Sequence, residues 1–259
     1  MKKLILIKLG GSLITDKTKI NVARLNVIAN IAKQVKEIVE NNKNLSLIIA
    51  TGAGGFGHPV AKIYEHNLEK GLPFIKDAVK KINQIVVSSL IKEKVKAVSV
   101  EPSEIIKCKN GEMVELLDGY IVSLLENNII PVFHADLIKD QVKGISILSM
   151  DRFLVDAALR FKNKGFNVEK VIFCGTTDGV LDSQGKTINN INNKNFSQFK
   201  SYFYSNKEVD ISGGMRGKVK ECLRLINENI PCLIINGQKE NNLRKAILEE
   251  EVKKTVIAK

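Results

Sequence analysis

Leu47-Ile48-Ile49-Ala50-Thr51-Gly52-Ala53-Gly54-Gly55-Phe56-Gly57-His58-Pro59 is the stretch on which the fold turns. An apolar run of strand character ends in a loop with four glycines and a histidine. Glycine lets the backbone approach a ligand closely and supplies positive φ where a turn needs it. Successive backbone N–H groups in such a loop form a concavity for anions, most effective where a strand gives way to a helix. His58 closes the loop with a proton donor that a phosphate or carboxylate accepts. The stretch therefore points to an anionic small molecule.

Outward from this stretch, strand and helix patterns alternate. Lys3–Leu9 is a strand ending in Gly10-Gly11-Ser12, and Asn21–Asn41 is helical by the spacing of Val27, Ile28, Ile31, Val35, Ile38 and Val39. Leu45–Ala50 is the strand that enters the glycine loop. Pro59–Tyr64 and Ile75–Lys94 read as helices, Val95–Val100 as a strand, Gly111–Met113 as a hairpin turn and Val114–Asn127 as a helix. Strands follow at Ile129–His134, Val168–Cys174 and Cys232–Ile235, with helices at Met150–Lys162, Val219–Asn227 and Leu243–Glu249. The polar stretch from Thr187 to Lys207 reads as a loop or lid. This alternation predicts an α/β protein with a central, largely parallel sheet. Ligands gather at the carboxyl ends of such strands. The loops after Leu9, Ala50, Phe133, Phe173 and Ile235 fall there.

Composition narrows the function classes. The 259 residues are 44% apolar and 26% charged, ordinary for a globular protein with a sizeable core. The net charge of +12 is scattered along the chain and often interleaved with Glu, and aromatics are only 5%. No concentrated basic patch or stacking platform emerges, which argues against a nucleic-acid partner. The diffuse positive field favours an anionic substrate. Cys108, Cys174, Cys222 and Cys232 form no C-x-x-C pair and read as reduced buried thiols, as suits the cytoplasm. Lys8 and the glycines break the apolar run of the first residues, so no signal peptide is expected. No apolar stretch reaches the length of a membrane span.

Three further pieces carry chemistry. Lys8 closes the first strand beside Gly10, Gly11 and Ser12, with Lys17 a few residues on. Phosphoryl transfer asks the protein mainly for cations and backbone donors around the moving group. The spacing matches neither a P-loop nor a dinucleotide fingerprint with its acidic residue. Cys174-Gly175-Thr176-Thr177-Asp178-Gly179-Val180 follows a strand, and by itself Asp178-Gly179 reads as a turn. Asp210-Ile211-Ser212-Gly213-Gly214-Met215-Arg216-Gly217-Lys218 opens a helix with glycines and a lysine, a second phosphate-binding element.

In combination, KLGGSLITDK at 8–17, GAGGFGHP at 52–59, TTDGV at 176–180 and DISGGMRGK at 210–218 resemble the amino acid kinase superfamily. Within it the chain looks most like the family of isopentenyl phosphate kinases, the histidine-bearing glycine loop being the most discriminating piece. The resemblance implies a single αβα sandwich, with an acceptor lobe over about 1–145 and a nucleotide lobe over about 146–259. It also implies transfer from ATP, with Mg2+, to a small phosphate, and a homodimer. Lys8, Lys17 and His58 would be catalytic, and Ala53, Gly54, Gly55 and His58 would hold the acceptor phosphate. Lys8, Gly10, Gly11, Ser12, Asp151, Asp178, Gly213, Gly214 and Lys218 would hold the nucleotide. An apolar chamber beyond His58 would be walled by residues such as Ile75, Val79, Ile82 and Ile85.

Three departures from the family pattern stand out. His134-Ala135-Asp136 replaces a glycine-aspartate pair, and Ala50-Thr51 replaces valine-histidine. Ser149-Met150-Asp151-Arg152 keeps one aspartate and exchanges its acidic neighbour for Arg152. A like change occurs in fosfomycin-resistance kinases, which keeps a phosphonate acceptor as the alternative reading. The altered pieces also admit a regulator that binds nucleotide without catalysis.

Overall fold

The computed structural model describes residues 2–16, 18–199 and 214–259, so Lys17 and Gly213 of the expected site lie outside the described residues. The chain opens with β1 (Lys3–Leu9), α1 (Gly11–Ile14), α2 (Leu25–Asn41), β2 (Leu45–Thr51), α3 (Gly54–Ile63) and α4 (Leu68–Lys92). Next come β3 (Ala97–Val100), α5 (Pro102–Ile105), β4 (Ile106–Lys109), β5 (Glu112–Leu116), α6 (Gly119–Glu126) and β6 (Ile130–His134). They are followed by β7 (Asp136–Asp140), β8 (Gly144–Leu148), α7 (Met150–Asn163) and β9 (Asn167–Gly175). The last elements are β10 (Asn190–Ile191), α8 (Gly214–Leu223), β11 (Cys232–Asn236), α9 (Asn242–Ile247) and β12 (Lys254–Ile257).

The main sheet runs β10-β12-β11-β9-β1-β2-β6-β3. Its neighbours are parallel except β11 with β12. Side chains alternate across a strand, and β1 shows what that does. Leu4 and Leu6 enter one core with Phe133, Phe153 and Phe161, under α6, α7 and α8. Ile5, Ile7 and Leu9 enter the other with Ile28, Ile31, Ile82 and Leu243, under α2, α4 and α9. Two helical layers thus enclose a sheet buried on both faces, the αβα sandwich that the alternating pattern predicts.

A smaller sheet, β5-β4-β7-β8, corrects the sequence reading in two places. Val114–Leu116 belongs to strand β5, and the helix expected there is confined to α6. The β7–β8 hairpin was not anticipated at all; it pairs Asp136 with Leu148 and Asp140 with Gly144. The glycine-rich segment after β2 is likewise not a loop, because residues 54–58 form the opening of α3. Helix α4 starts earlier than its apolar spacing suggests, where the Asn67 side chain accepts from the Lys70 N–H at 3.1 Å.

Candidate active site

β1 and β2 lie side by side in parallel with Leu9 opposite Thr51, so the segments leaving them meet. Gly11 and Gly54 stand backbone to backbone, and a Cβ on Gly52 would come within 2.5 Å of the Gly11 nitrogen. A Cβ on Gly10 would lie 2.8 Å from the Cys174 carbonyl. These glycines let the two glycine-rich segments press on each other. Gly52→Ala forces backbone against backbone, and overpacking of that kind costs about 3 kcal/mol. It is expected to lower the thermal midpoint by several degrees and to reduce turnover together with it; an unchanged melting curve would contradict this contact.

Pro59 explains how a glycine-rich segment can be helical here. Proline has no N–H for the carbonyl four residues earlier, which is that of Gly55. That carbonyl instead accepts from the Asn21 N–H at 3.1 Å. The Gly55 N–H donates to Thr15 Oγ1 at 2.8 Å, and a Cβ on Gly55 would press on the Asp16 and Lys19 carbonyls. Gly54, at φ +50°, faces Thr15 and Gly11. Gly54 and Gly55 sit beside Gly52, Ala53 and Gly57 of the cavity lining rather than among them. Their part is to lock α3 onto the 15–21 segment.

Three elements converge at a buried ionic cluster. Lys8 occupies the β1 face that carries Leu4 and Leu6, and it reaches the first turn of α7. Its Nζ lies 2.5 Å from Asp151 Oδ1. From α8, Lys218 Nζ lies 3.1 and 3.2 Å from the two Asp151 oxygens and 5.3 Å from the centre of the Phe173 ring. Burial pushes the Asp151 carboxyl up, but Lys218 and Lys8 outweigh it and hold the group down at about 2. Two cations around one carboxylate leave net positive charge beside the glycine segments.

This cluster opens into a cavity of about 290 Å³. Its lining includes Lys8, Gly10, Gly11, Ser12, Gly52, Ala53, Gly57, His58 and Lys218. It also includes the apolar Ala61, Ile75, Val79, Leu137, Ile147, Leu148 and Met150, together with Ala135, Asp136 and Ser149. Ile75 and Val79 are where the chamber reading puts them. Ile82 and Ile85 are not: they pack into the core under α2 and α4, since a helix buries more than one stripe. The wall contributed by Leu137, Ile147 and Leu148 was missed with its hairpin, whose sequence signal is the short apolar–polar alternation Ile145-Ser146-Ile147.

The remaining expected residues sit elsewhere. Asp178 is outside the cavity wall, where Lys239 Nζ lies 2.6 Å from its Oδ2; that hydrogen bond keeps its carboxyl below the usual range. Gly214 begins α8 at φ +59° and so starts the helix that delivers Lys218. Arg152 points away from the cavity, toward Glu112 Oε1 at 3.1 Å and Asp156 Oδ2 at 3.6 Å. The departure Ala135 is accommodated on the cavity wall. Thr51 shares a buried network: its Oγ1 donates to the Phe133 carbonyl at 3.2 Å and accepts from Asn83 Nδ2 at 3.2 Å. Buried His134 is held neutral by desolvation, and its Nδ1 donates to the Ala135 carbonyl at 2.9 Å. Among the described residues no group of three or more His, Cys, Asp or Glu is arranged to hold a metal. No helix among them is long and apolar enough to cross a membrane.

Paired glycine segments at the ends of parallel strands, joined by a Lys–Asp–Lys cluster, define a phosphate-handling α/β protein. The chain belongs to the amino acid kinase family, whose model matches residues 3–236. It is 30% identical over 262 residues to isopentenyl phosphate kinase of Methanocaldococcus jannaschii, covering 95% of this chain and 96% of that one. It is also 30% identical over 276 residues to the enzyme of the same name from Methanothermobacter thermautotrophicus, covering 98% of each. Among solved structures, one described as X-ray structures of isopentenyl phosphate kinase superposes with a TM-score of 0.80 at 28% identity. That match covers 98% of this chain and 99% of the other.

Proposed function

We propose that this chain is a small-molecule kinase that transfers the γ-phosphoryl group of ATP to isopentenyl phosphate, giving isopentenyl diphosphate. The observation that carries this reading is the division of one cavity's lining between polar groups, with Lys8, Lys218, His58 and the glycine segments among them, and apolar side chains from α4 and the β7–β8 hairpin. A phosphate head and a short hydrocarbon tail match that division. Full-length similarity to enzymes named for this activity supports it.

Attack of one phosphate on another brings two anions together, so the protein's task is charge compensation and alignment. Lys8 and Lys218, fixed by Asp151, provide positive charge on the nucleotide side. His58, in the same cavity lining, donates to the acceptor phosphate. The acceptor oxygen is ionised near neutral pH, so no strong general base is required. Magnesium bound with the nucleotide would add further neutralisation of its phosphates. We place acceptor recognition in about 1–145 and nucleotide recognition in about 146–259, with Asp178 and Gly214 joined on the nucleotide side by Lys8, Gly10, Gly11 and Ser12 from the end of β1. The family resemblance adds a homodimer in the cytoplasm, which sizing of the purified protein and cell fractionation test.

ATP consumption measured with isopentenyl phosphate, fosfomycin, uridine monophosphate and acetylglutamate in parallel decides the acceptor. Turnover is expected with isopentenyl phosphate, and His58→Ala is expected to lower its kcat/KM about 100-fold. Turnover confined to another acceptor would replace this reading, and none on any acceptor would favour a nucleotide-binding regulator. Arg152 stays off the cavity wall, so its presence lends no support to a phosphonate acceptor.

A further inference from the structure

The apolar wall of the cavity depends on a hairpin whose turn is tied down by one carboxylate. Asp140, at the end of β7 and only 3% exposed, is the most heavily hydrogen-bonded acidic group among the described residues. Its Oδ1 accepts from the backbone N–H groups of Asn110, Val142 and Lys143, each at 2.9 Å. Its Oδ2 accepts from the Gly111 N–H at 2.6 Å and from Ser146 Oγ at 2.7 Å. Asn110 and Gly111 form the turn between β4 and β5, while Val142 and Lys143 form the turn between β7 and β8. One side chain therefore closes two hairpin turns and joins them. The backbone link at this place is thin: Cys108 with Asp140 is the one register pair recorded between β4 and β7.

From this anchor, β7 and β8 run back to the cavity. They carry Leu137 on one strand, Ile147 and Leu148 on the other, and lead directly into the α7 turn that presents Asp151. We propose that Asp140 is a positioning residue for the acceptor: by fixing both turns it holds the β7–β8 wall at the distance the acceptor's apolar tail requires. This rests on the reading of the cavity as an isopentenyl phosphate site. Asp140 touches no reacting group; its effect is transmitted along strands of five residues, a path of roughly 13 Å. The nucleotide side, built on β1, α1, β9 and α8, shares none of these turn hydrogen bonds.

The test compares wild type with Asp140→Asn, which replaces one acceptor oxygen by a donor facing donors, and with Ser146→Ala, which removes a single hydrogen bond and spares the fold. For Asp140→Asn the KM for isopentenyl phosphate is expected to rise about tenfold, with the KM for ATP and kcat within about twofold. For Ser146→Ala the acceptor KM is expected to rise about twofold. Hydrogen exchange, measured without any substrate, is expected to quicken at 110–111 and along 137–148 while the amides of β1 and β9 keep their protection. Equal losses for both substrates, an unchanged acceptor KM, or exchange that quickens uniformly would overturn the proposal. Should the wild-type protein use none of the four acceptors, the functional reading fails by that result alone. The exchange pattern then decides separately whether Asp140 holds the wall.

Discussion

Lys8→Ala is expected to lower kcat about 10²- to 10³-fold while raising the KM for ATP by less than about tenfold. The lysine closes β1 at the point where both glycine segments meet, and Asp151 holds its Nζ at 2.5 Å. A cation fixed in a water-poor site counts most where charge develops, and removal of one such group typically costs two to three powers of ten. Ground-state binding retains Lys218, which keeps its own contact with Asp151 at 3.1 Å. The split between kcat and KM therefore separates a group acting on the moving phosphoryl from one that merely binds nucleotide. A loss carried wholly by KM would assign Lys8 to binding alone.

Asp151→Asn is expected to damage both stability and activity. Lys8 is 7% exposed, and Asp151→Asn takes away the buried carboxylate charge that both Lys8 and Lys218 contact. Breaking one half of a buried pair costs about 3–5 kcal/mol. Chemical denaturation should detect this at neutral pH. The dependence on pH has a definite sign. The Asp151 carboxyl is lowered from 3.8 to about 2, so its contribution is complete above the unfolded value and is lost as pH falls through about 2. Glu101 and Asp118, also held low by lysine and arginine partners, add to the same acid limb. The difference between wild type and variant isolates Asp151: it should be largest at neutral pH and shrink between about pH 4 and pH 2. A constant difference across that range would mean that the carboxylate's charge is not what stabilises the cluster.

Much of the sheet was legible because its strands are buried on both faces. Lys3–Leu9, Leu45–Ala50 and Val168–Cys174 are apolar runs that end in glycine or threonine, and burial of that kind leaves a plain mark. The hairpins were harder. Asp136–Asp140 keeps its acidic ends buried by hydrogen bonds to backbone amides, so its polar letters hide a strand. Val114 and Leu116 carry apolar character into Leu117 and α6, which makes β5 look like the start of one helix. Glycine's low helical preference hid the first turn of α3, where close packing against Gly11 and Thr15 outweighs it. At the site, Lys8, His58 and Lys218 were readable from local patterns. The clamp at Asp151 was not, since residues 8, 151 and 218 meet only through the crossing of the chain from β1 to α7 to α8.

The contact between Gly11 and Gly54 has a bearing on how such an enzyme can diversify. Because the two glycine-rich segments share a backbone surface with no room for a methyl group, neither can be reshaped without disturbing the other. Variation that changes what is phosphorylated is thereby channelled to Ile75, Val79, Leu137 and Ile147, side chains that can be exchanged one at a time. The molecule separates a part that must be inherited whole from a part free to be revised.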